Sequence, residues 1–444
     1  MANTMSSGRY RILITEKLAS MSLWSPIPWL SCLFGFLLAL STPSVVQPGE
    51  EPGGSAPKTS AETVAGVSQG EGGILPELDP LLLGLDDRPL RAIRQSMEKF
   101  VEAKEIAGAV SLVAYRGAIV HWEAVGFRSL EDRQPMTRDT LFAIASMTKP
   151  IVATGLMILV DRGEICLDEP IATYLPEFKK LKLPDGQPPK SPPTVRQLLT
   201  HTSGLHPDQQ MHGNLAETVR YLASQPLRFE PGTQWAYGPG LTVAGRIIEV
   251  VSGKELEKFL QDEIFQPLGM VDTTFHPSPE QQKRLAKLYQ KNRQTGDLVP
   301  AEHWLINLSP TAPANPSGGL FSTAKDLVRF HQAILDGGIL GTQRILREEL
   351  TLEMRRIQTE QLTTGFTPGN GWGLGVCIVH QPQGVTAMLS PGTFGHGGAF
   401  GTQGWIDPER KMIFILLIQR LGLPNADQSA FRETLQTLAT ASLR

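Results

Sequence analysis

The chain runs to 444 residues with a formal net charge of −3, 41% hydrophobic and 19% charged residues, the make-up of a globular protein with ample core and, as a soft prior, two or three domains. No basic run accompanies that balance, so there is no electrostatic footprint for nucleic acid. Three cysteines (Cys32, Cys166, Cys377) are too few for a disulfide framework, with a single Cys166–Cys377 bridge left open, and nine scattered histidines without metal-ligand spacing call for no metal and no cofactor.

Residues 1–46 read as an export signal. Arg9, Arg11 and Lys17 form a positive start, Trp29–Leu40 is an uncharged apolar run, and Ala39-Leu-Ser41 offers a cleavage site. That run is shorter than the roughly 20 residues a spanning helix needs; the alternatives are an uncleaved membrane anchor or a later start at Met5 or Met21. Residues 47–75, rich in Gly, Pro, Ser and Glu, read as a flexible linker. The folded body is expected from about 76 to 444.

Leu90–Ala103 has helical periodicity. Ala109–Tyr115 and Ala118–Val125 flank Arg116-Gly117, a two-residue hairpin signal. A helix carrying Ser146 ends at Asp161-Arg-Gly163. From about 165 to 310 short helical segments alternate with Pro-rich loops, and Leu241–Val251 is the best amphipathic helix among them. Thr323 opens a helix to about Leu335, with Thr323 and Asp326 spaced as a capping box. Strands are expected at Gly373–His380, Gly401–Ile406 and Met412–Ile418, the last two separated by the turn Asp407-Pro-Glu-Arg410, and a closing helix at Ala426–Ser442. Strands at both ends with helices between them describe an α/β layer domain interrupted by a mainly helical insertion at about 165–310.

The chemistry-bearing stretch is Ser146-Met-Thr-Lys149, followed by the apolar run Ile151–Val160. On a helix, positions i and i+3 share a face, so Ser146 Oγ and Lys149 Nζ reach one small space. A hydroxyl nucleophile needs a neighbour that takes its proton, and a desolvated lysine serves. The same spacing recurs at Ser55/Lys58, Ser96/Lys99 and Ser322/Lys325, but in a linker, on a charged helix face and at a helix cap. Gly66-Val-Ser68-Gln-Gly70 copies a nucleophile-elbow pattern without its strand and helix.

The ordered set Ser146-Met-Thr-Lys149, Leu198-Leu-Thr-His-Thr-Ser-Gly-Leu205, Trp235-Ala-Tyr237 and His396-Gly-Gly398 resembles the serine β-lactamase-related superfamily, most closely class C β-lactamases, the esterases that share their fold and D-stereospecific peptidases. Pro231-Gly-Thr, Ile264–Met270 and Ser317–Leu327 add non-catalytic matches, and the resemblance spans about residues 85–442. It implies an antiparallel sheet flanked by helices. It also implies Ser146 as the acylated nucleophile, Lys149 as the group that holds or relays its proton, and Tyr237 as general base and then acid. With an ordinary pKa near 10, Tyr237 needs the Lys149 ammonium for phenolate character. His396, Gly397 and Gly398 would line the substrate edge, and the amides of Ser146 and Ala399 would form an oxyanion hole, worth about 3 kcal/mol per donor.

Two positions depart from the family pattern. Pro239 stands where the motif has Asn, removing an amide contact to substrate. His396 replaces the lysine that anchors a substrate carboxylate and is expected to be a weaker anchor. Both disfavour β-lactam turnover and leave the acylation machinery intact. His201 is read as structural and Trp372 as packing or pocket wall. The expected activity is an exported serine hydrolase acting on short acyl esters; the alternatives are a D-peptidase, carboxypeptidase or weak β-lactamase, and a non-catalytic binding relative.

Overall fold

The computed structural model describes residues 75–359, 361–365 and 367–444. The export-signal reading, most of the linker, the elbow-like Gly66–Gly70 and the Ser55/Lys58 pair lie outside the described residues.

Helix α1 (Asp87–Glu102) starts at Asp86, whose carboxylate accepts from the Arg88 amide at 3.0 Å, satisfying one of the free N–H groups of the first turn. Strands β1 (Gly108–Tyr115) and β2 (Ala118–Ser129) turn at Arg116 and Gly117, both at positive φ (49° and 83°), as a type I′ hairpin requires. β3 (Gln134–Pro135) follows, then α2 (Thr148–Asp161), α3 (Gly240–Ser252) and α4 (Ala324–Leu335). The chain closes with β4 (Asn370–Trp372), β5 (Cys377–Val379), β6 (Phe394–Gly397), β7 (Gln403–Asp407), β8 (Met412–Leu417) and α5 (Ala430–Ala441). These strands form one eight-stranded sheet in the order β4-β5-β6-β7-β8-β1-β2-β3, every neighbouring pair antiparallel. The fold is the expected α/β arrangement of an antiparallel sheet flanked by helices.

Both faces of the sheet are covered. Met412, Phe414 and Leu416 of β8 pack with Leu90, Ile93 and Met97 of α1 and Phe431, Leu435 and Ala439 of α5. Ile413, Ile415 and Leu417 point the other way, into the core with α2 and α4. Period-2 alternation sends neighbouring side chains to opposite faces, and with both faces buried the strand reads as one apolar run. β1 is buried throughout for the same reason.

Some expected elements change. Gly373–His380 is not one strand but the second half of a hairpin, β4 to β5, with Trp372 opposite Cys377. The chain turns at Gly375, which takes φ 75° and lies so close to Ala153 that no side chain would fit. The Thr323 cap is one-sided. Thr323 accepts from the Asp326 amide at 3.3 Å, while the Asp326 carboxylate turns to the Asp272 amide (2.7 Å) and Thr273 hydroxyl (2.9 Å). The expected closing helix splits into a 3-10 turn, Ala426–Gln428, and α5, which Ser429 caps. Residues 165–310 carry several short helices besides α3, yet end in a β-hairpin, Tyr289–Lys291 with Leu298–Pro300. Cys166 and Cys377 are both free, one exposed and the other buried. Among the described residues, no helix is long and apolar enough to cross a membrane.

Trp405 on β7 is fully buried, its Nε1 donating to Gln403 Oε1 at 2.7 Å, with the Arg432 guanidinium 3.8 Å above its ring. Trp405→Ala is expected to lower the free energy of urea unfolding by about 3–5 kcal/mol, read from the shift of the transition midpoint.

Candidate active site

Ser146 stands on a 3-10 turn, Ala145–Met147, that feeds directly into α2. Ala145 takes φ 45°, a left-handed conformation that costs a non-glycine residue energy and lifts the following serine out of the chain path. The turn is held from the sheet side: Thr402 Oγ1 donates to the Ile144 carbonyl at 3.2 Å, and the Gly398 amide donates to the Thr402 carbonyl at 2.7 Å. A side chain at Gly398 would strike both Thr402 Oγ1 and the Ile144 carbonyl. This close approach of β6 to the Ser146 turn is what a glycine permits there.

Lys149 is fully buried one turn along. Its Nζ donates to the Ser317 carbonyl at 2.6 Å and to Ser146 Oγ at 3.2 Å, and lies 4.6 Å from the centre of the Tyr237 ring. Neither neighbour is an anion, so nothing offsets the loss of hydration, and burial lowers the Lys149 amine to a pKa of about 7. Ser317 is itself held by Thr242 of α3, their hydroxyl oxygens 2.7 Å apart.

Tyr237 approaches from the loop before α3, its hydroxyl donating to Ser146 Oγ at 2.9 Å. His201 carries that loop: its Nδ1 accepts from the Gly238 amide at 3.3 Å and its carbonyl accepts from the Ala236 amide at 2.9 Å. The His201 ring packs 4.5 Å from Tyr237 and 5.0 Å from Trp372. His201 is thus a support for Tyr237, as its reading as structural requires, and Trp372 is buried packing behind it. The phenolate expectation for Tyr237 is corrected. Burial pushes its hydroxyl well above the ordinary tyrosine range, outweighing its hydrogen bond to Ser146, so the resting group is a neutral O–H.

His396 is also corrected. It is buried, and burial first, then the nearby Lys149, lowers it to about 3, leaving a neutral imidazole. Its Nδ1 donates to the Gly397 carbonyl at 2.5 Å, so Nε2 carries the lone pair and faces the Tyr237 hydroxyl at 3.5 Å. A neutral ring supplies no charge for a carboxylate.

Ser146, Tyr237, His396, Gly397, Gly398 and Ala399 line one cleft of about 660 Å³, with Lys149 beneath Ser146. The other spacing matches stay apart from it: Ser96 lies on α1, and Ser322 Oγ pairs with Thr273 Oγ1 at 2.8 Å. Sequence reasoning missed two contributors. The Ser317 carbonyl that holds Lys149 lies in a run noted only as a non-catalytic match, and Asp427, on the cleft wall, carries no local pattern at all.

A family model described as Beta-lactamase matches residues 93–439, most of the chain. The chain belongs to the beta-lactamase family. This family member is similar to Protein Rv1367c of Mycobacterium tuberculosis (strain H37Rv), 31% identical over 76% of this chain and 91% of that protein. It is also similar to Esterase EstB of Burkholderia gladioli, 33% identical over 77% and 93%. Among solved structures, EstCE1, described as a hydrolase with promiscuous acyltransferase activity, superposes with a TM-score of 0.70 at 23% identity, covering 80% of this chain and 99% of that one, which speaks for the fold. Together these place the chain among hydrolases of the beta-lactamase fold.

The buried amine is directly measurable. NMR of isotope-labelled lysine should show one side chain titrating near 7 instead of near the ordinary ~10.4, and that signal should vanish in Lys149→Met.

Proposed function

We propose that the protein is a serine hydrolase that cleaves short acyl esters through an acyl-enzyme on Ser146. One observation carries this reading: Ser146 Oγ sits within hydrogen-bond reach of both the buried Lys149 amine (3.2 Å) and the neutral Tyr237 hydroxyl (2.9 Å), at the wall of an open cleft. The nucleophile thereby has a proton acceptor and a proton donor at once.

In acylation, Ser146 Oγ bonds to the ester carbonyl carbon as its proton passes to the neutral Lys149. The carbon–oxygen bond to the alcohol then breaks, and the Tyr237 O–H supplies the proton that the leaving oxygen takes. Lys149 is now an ammonium and Tyr237 a phenolate, mutually stabilising charges at the distance of their ring contact, 4.6 Å. In deacylation, water attacks the acyl carbon and gives a proton to the phenolate, and the ammonium returns its proton to Ser146 Oγ as that bond breaks. Every group ends as it began. The Ser146 and Ala399 amides are assigned to the carbonyl oxygen as its charge develops.

Ester hydrolysis is favoured over a carboxypeptidase activity by the neutral His396, which offers no cation to a terminal carboxylate, and by Pro239, which removes an amide contact. The reading is tested with p-nitrophenyl butyrate. Ser146→Ala should abolish turnover, while Lys149→Met and Tyr237→Phe should each lower kcat by about 10²- to 10⁴-fold. Because Lys149 must be neutral to accept the proton, kcat/KM should climb with pH below about 7 and level off above it. A profile flat from acid to neutral pH would remove Lys149 from the role of base. Failure of the folded protein both to turn over esters and to take up a fluorophosphonate at Ser146 would favour a non-catalytic relative.

Export is proposed on the charged start and apolar run of residues 1–46 alone. Intact-mass measurement of the mature protein from its own host should give a chain shortened near Ser41; an unshortened, membrane-associated chain would mean an anchor.

A further inference from the structure

One charged group on the cleft wall has no part in the acyl chemistry. Asp427 belongs to the 3-10 turn ahead of α5 and faces the same cleft as Ser146. Its Oδ1 accepts from Gln403 Nε2 at 3.3 Å. Arg432, the cation that acts on it electrostatically, donates through Nη1 to the Asp427 backbone carbonyl (2.9 Å) and through Nε to Gln436 Oε1 (3.0 Å), its plane lies over the Trp405 ring, and its Nη2 has no hydrogen-bond partner among the described residues. Among the described residues, no side-chain cation forms an ion pair with the Asp427 carboxylate. Gly397 leaves the space this carboxylate occupies, since a side chain on Gly397 would collide with Oδ1.

Asp427 is half-buried, and a carboxylate drawn even partly out of water without a counter-ion is costly. Burial accordingly raises the Asp427 carboxyl, with Arg432 and the Gln403 contact pulling it back in part. A cation brought by a ligand would supply the missing partner. The rest of the wall suits such a group. His303 and Trp304 sit with ring centres 5.4 Å apart, and they and Tyr237 line the cleft; aromatic faces attract ammonium groups. The remaining ionisable side chain on the wall besides His303 and Tyr237, His396, is neutral, and Lys149, behind Ser146, is lowered by burial to about 7.

We propose that the cleft selects substrates carrying a cationic group, a protonated amine or a quaternary ammonium, held against Asp427 and the aromatic wall. Where a carboxylate-binding site offers a cation, this wall has a neutral His396 and a carboxylate at Asp427. The proposal names a substrate class for the serine-hydrolase reading and rests on that reading for turnover, but not for binding.

The test is a calorimetric titration of the Ser146→Ala protein, which cannot consume the ligand. Two matched pairs are used, because the cation could sit on either side of the scissile bond. One is butyrylcholine and its uncharged isostere with a tert-butyl group in place of the trimethylammonium. The other is the ethyl ester of trimethylammoniobutyrate and its tert-butyl isostere. At least one cationic ester should bind about tenfold more tightly than its isostere, an effect within the size expected for a charge pair with the wall carboxylate at a partly screened site. Adding Asp427→Asn, with Asp427→Ser as a second variant should the first not fold, should bring that ratio close to one. Equal or weaker binding of both cationic esters, or a preference that survives loss of the carboxylate, overturns the proposal. Turnover of p-nitrophenyl butyrate by the unmodified protein reports separately on the hydrolase reading.

Discussion

The amine of Lys149 is buried without an anion. Its two hydrogen-bond acceptors are a backbone carbonyl and the Ser146 hydroxyl, and its remaining neighbour is the face of Tyr237. A charged ammonium in that setting lacks the partner that would offset desolvation, so burial lowers the amine to about 7 and a substantial part of it is neutral at ordinary pH. Everything around it serves this condition. The apolar α2 shuts out water from below, buried continuously from Thr148 to Leu159. Ser317, fixed by Thr242 of α3, presents a carbonyl and not a carboxylate. An acidic side chain in that place would hold the lysine charged and deny Ser146 its acceptor.

The same economy governs Tyr237 and His396. Both are buried beside Lys149; burial holds both neutral, and Lys149 adds to the effect on His396 alone. A tyrosine that stays protonated is a donor, and a histidine with Nδ1 tied to the Gly397 carbonyl is an acceptor. The cleft thus joins a protonated Tyr237 and a neutral His396, and Asp427 stands as the carboxylate on its wall. The covered sheet makes this possible: β6 must come close enough for Gly398 to touch the Ser146 turn, and only a strand clamped between two others, β5 and β7, keeps that approach fixed.

Much of this was legible in the residues. The Ser146 helix, the Arg116-Gly117 hairpin, the α5 helix and the last two strands follow from periodicity and turn chemistry, which are local properties. The Ser146/Lys149 pair is also local, although Ser146 lies on the 3-10 turn that feeds α2 and not, as its spacing suggested, on the helix itself. What escaped was whatever two distant segments decide between them. Gly373–His380 reads as a strand until Ala153 of α2 is placed against Gly375. Asp326 reads as a cap partner until the loop at Asp272 offers it better donors.

The sequence by itself determined most of the elements, the layer arrangement and the nearness of Ser146 to Lys149, because spacing and apolar pattern dictate which faces meet and which are hidden. The charge states of the site were decided only by the tertiary structure. Whether Tyr237 rests as phenol or phenolate, whether His396 is a cation, and whether Asp427 faces the nucleophile all depend on desolvation and on neighbours far apart in the chain. A side chain's electrostatic environment is a property of the packed volume around it, and no run of residues contains that volume.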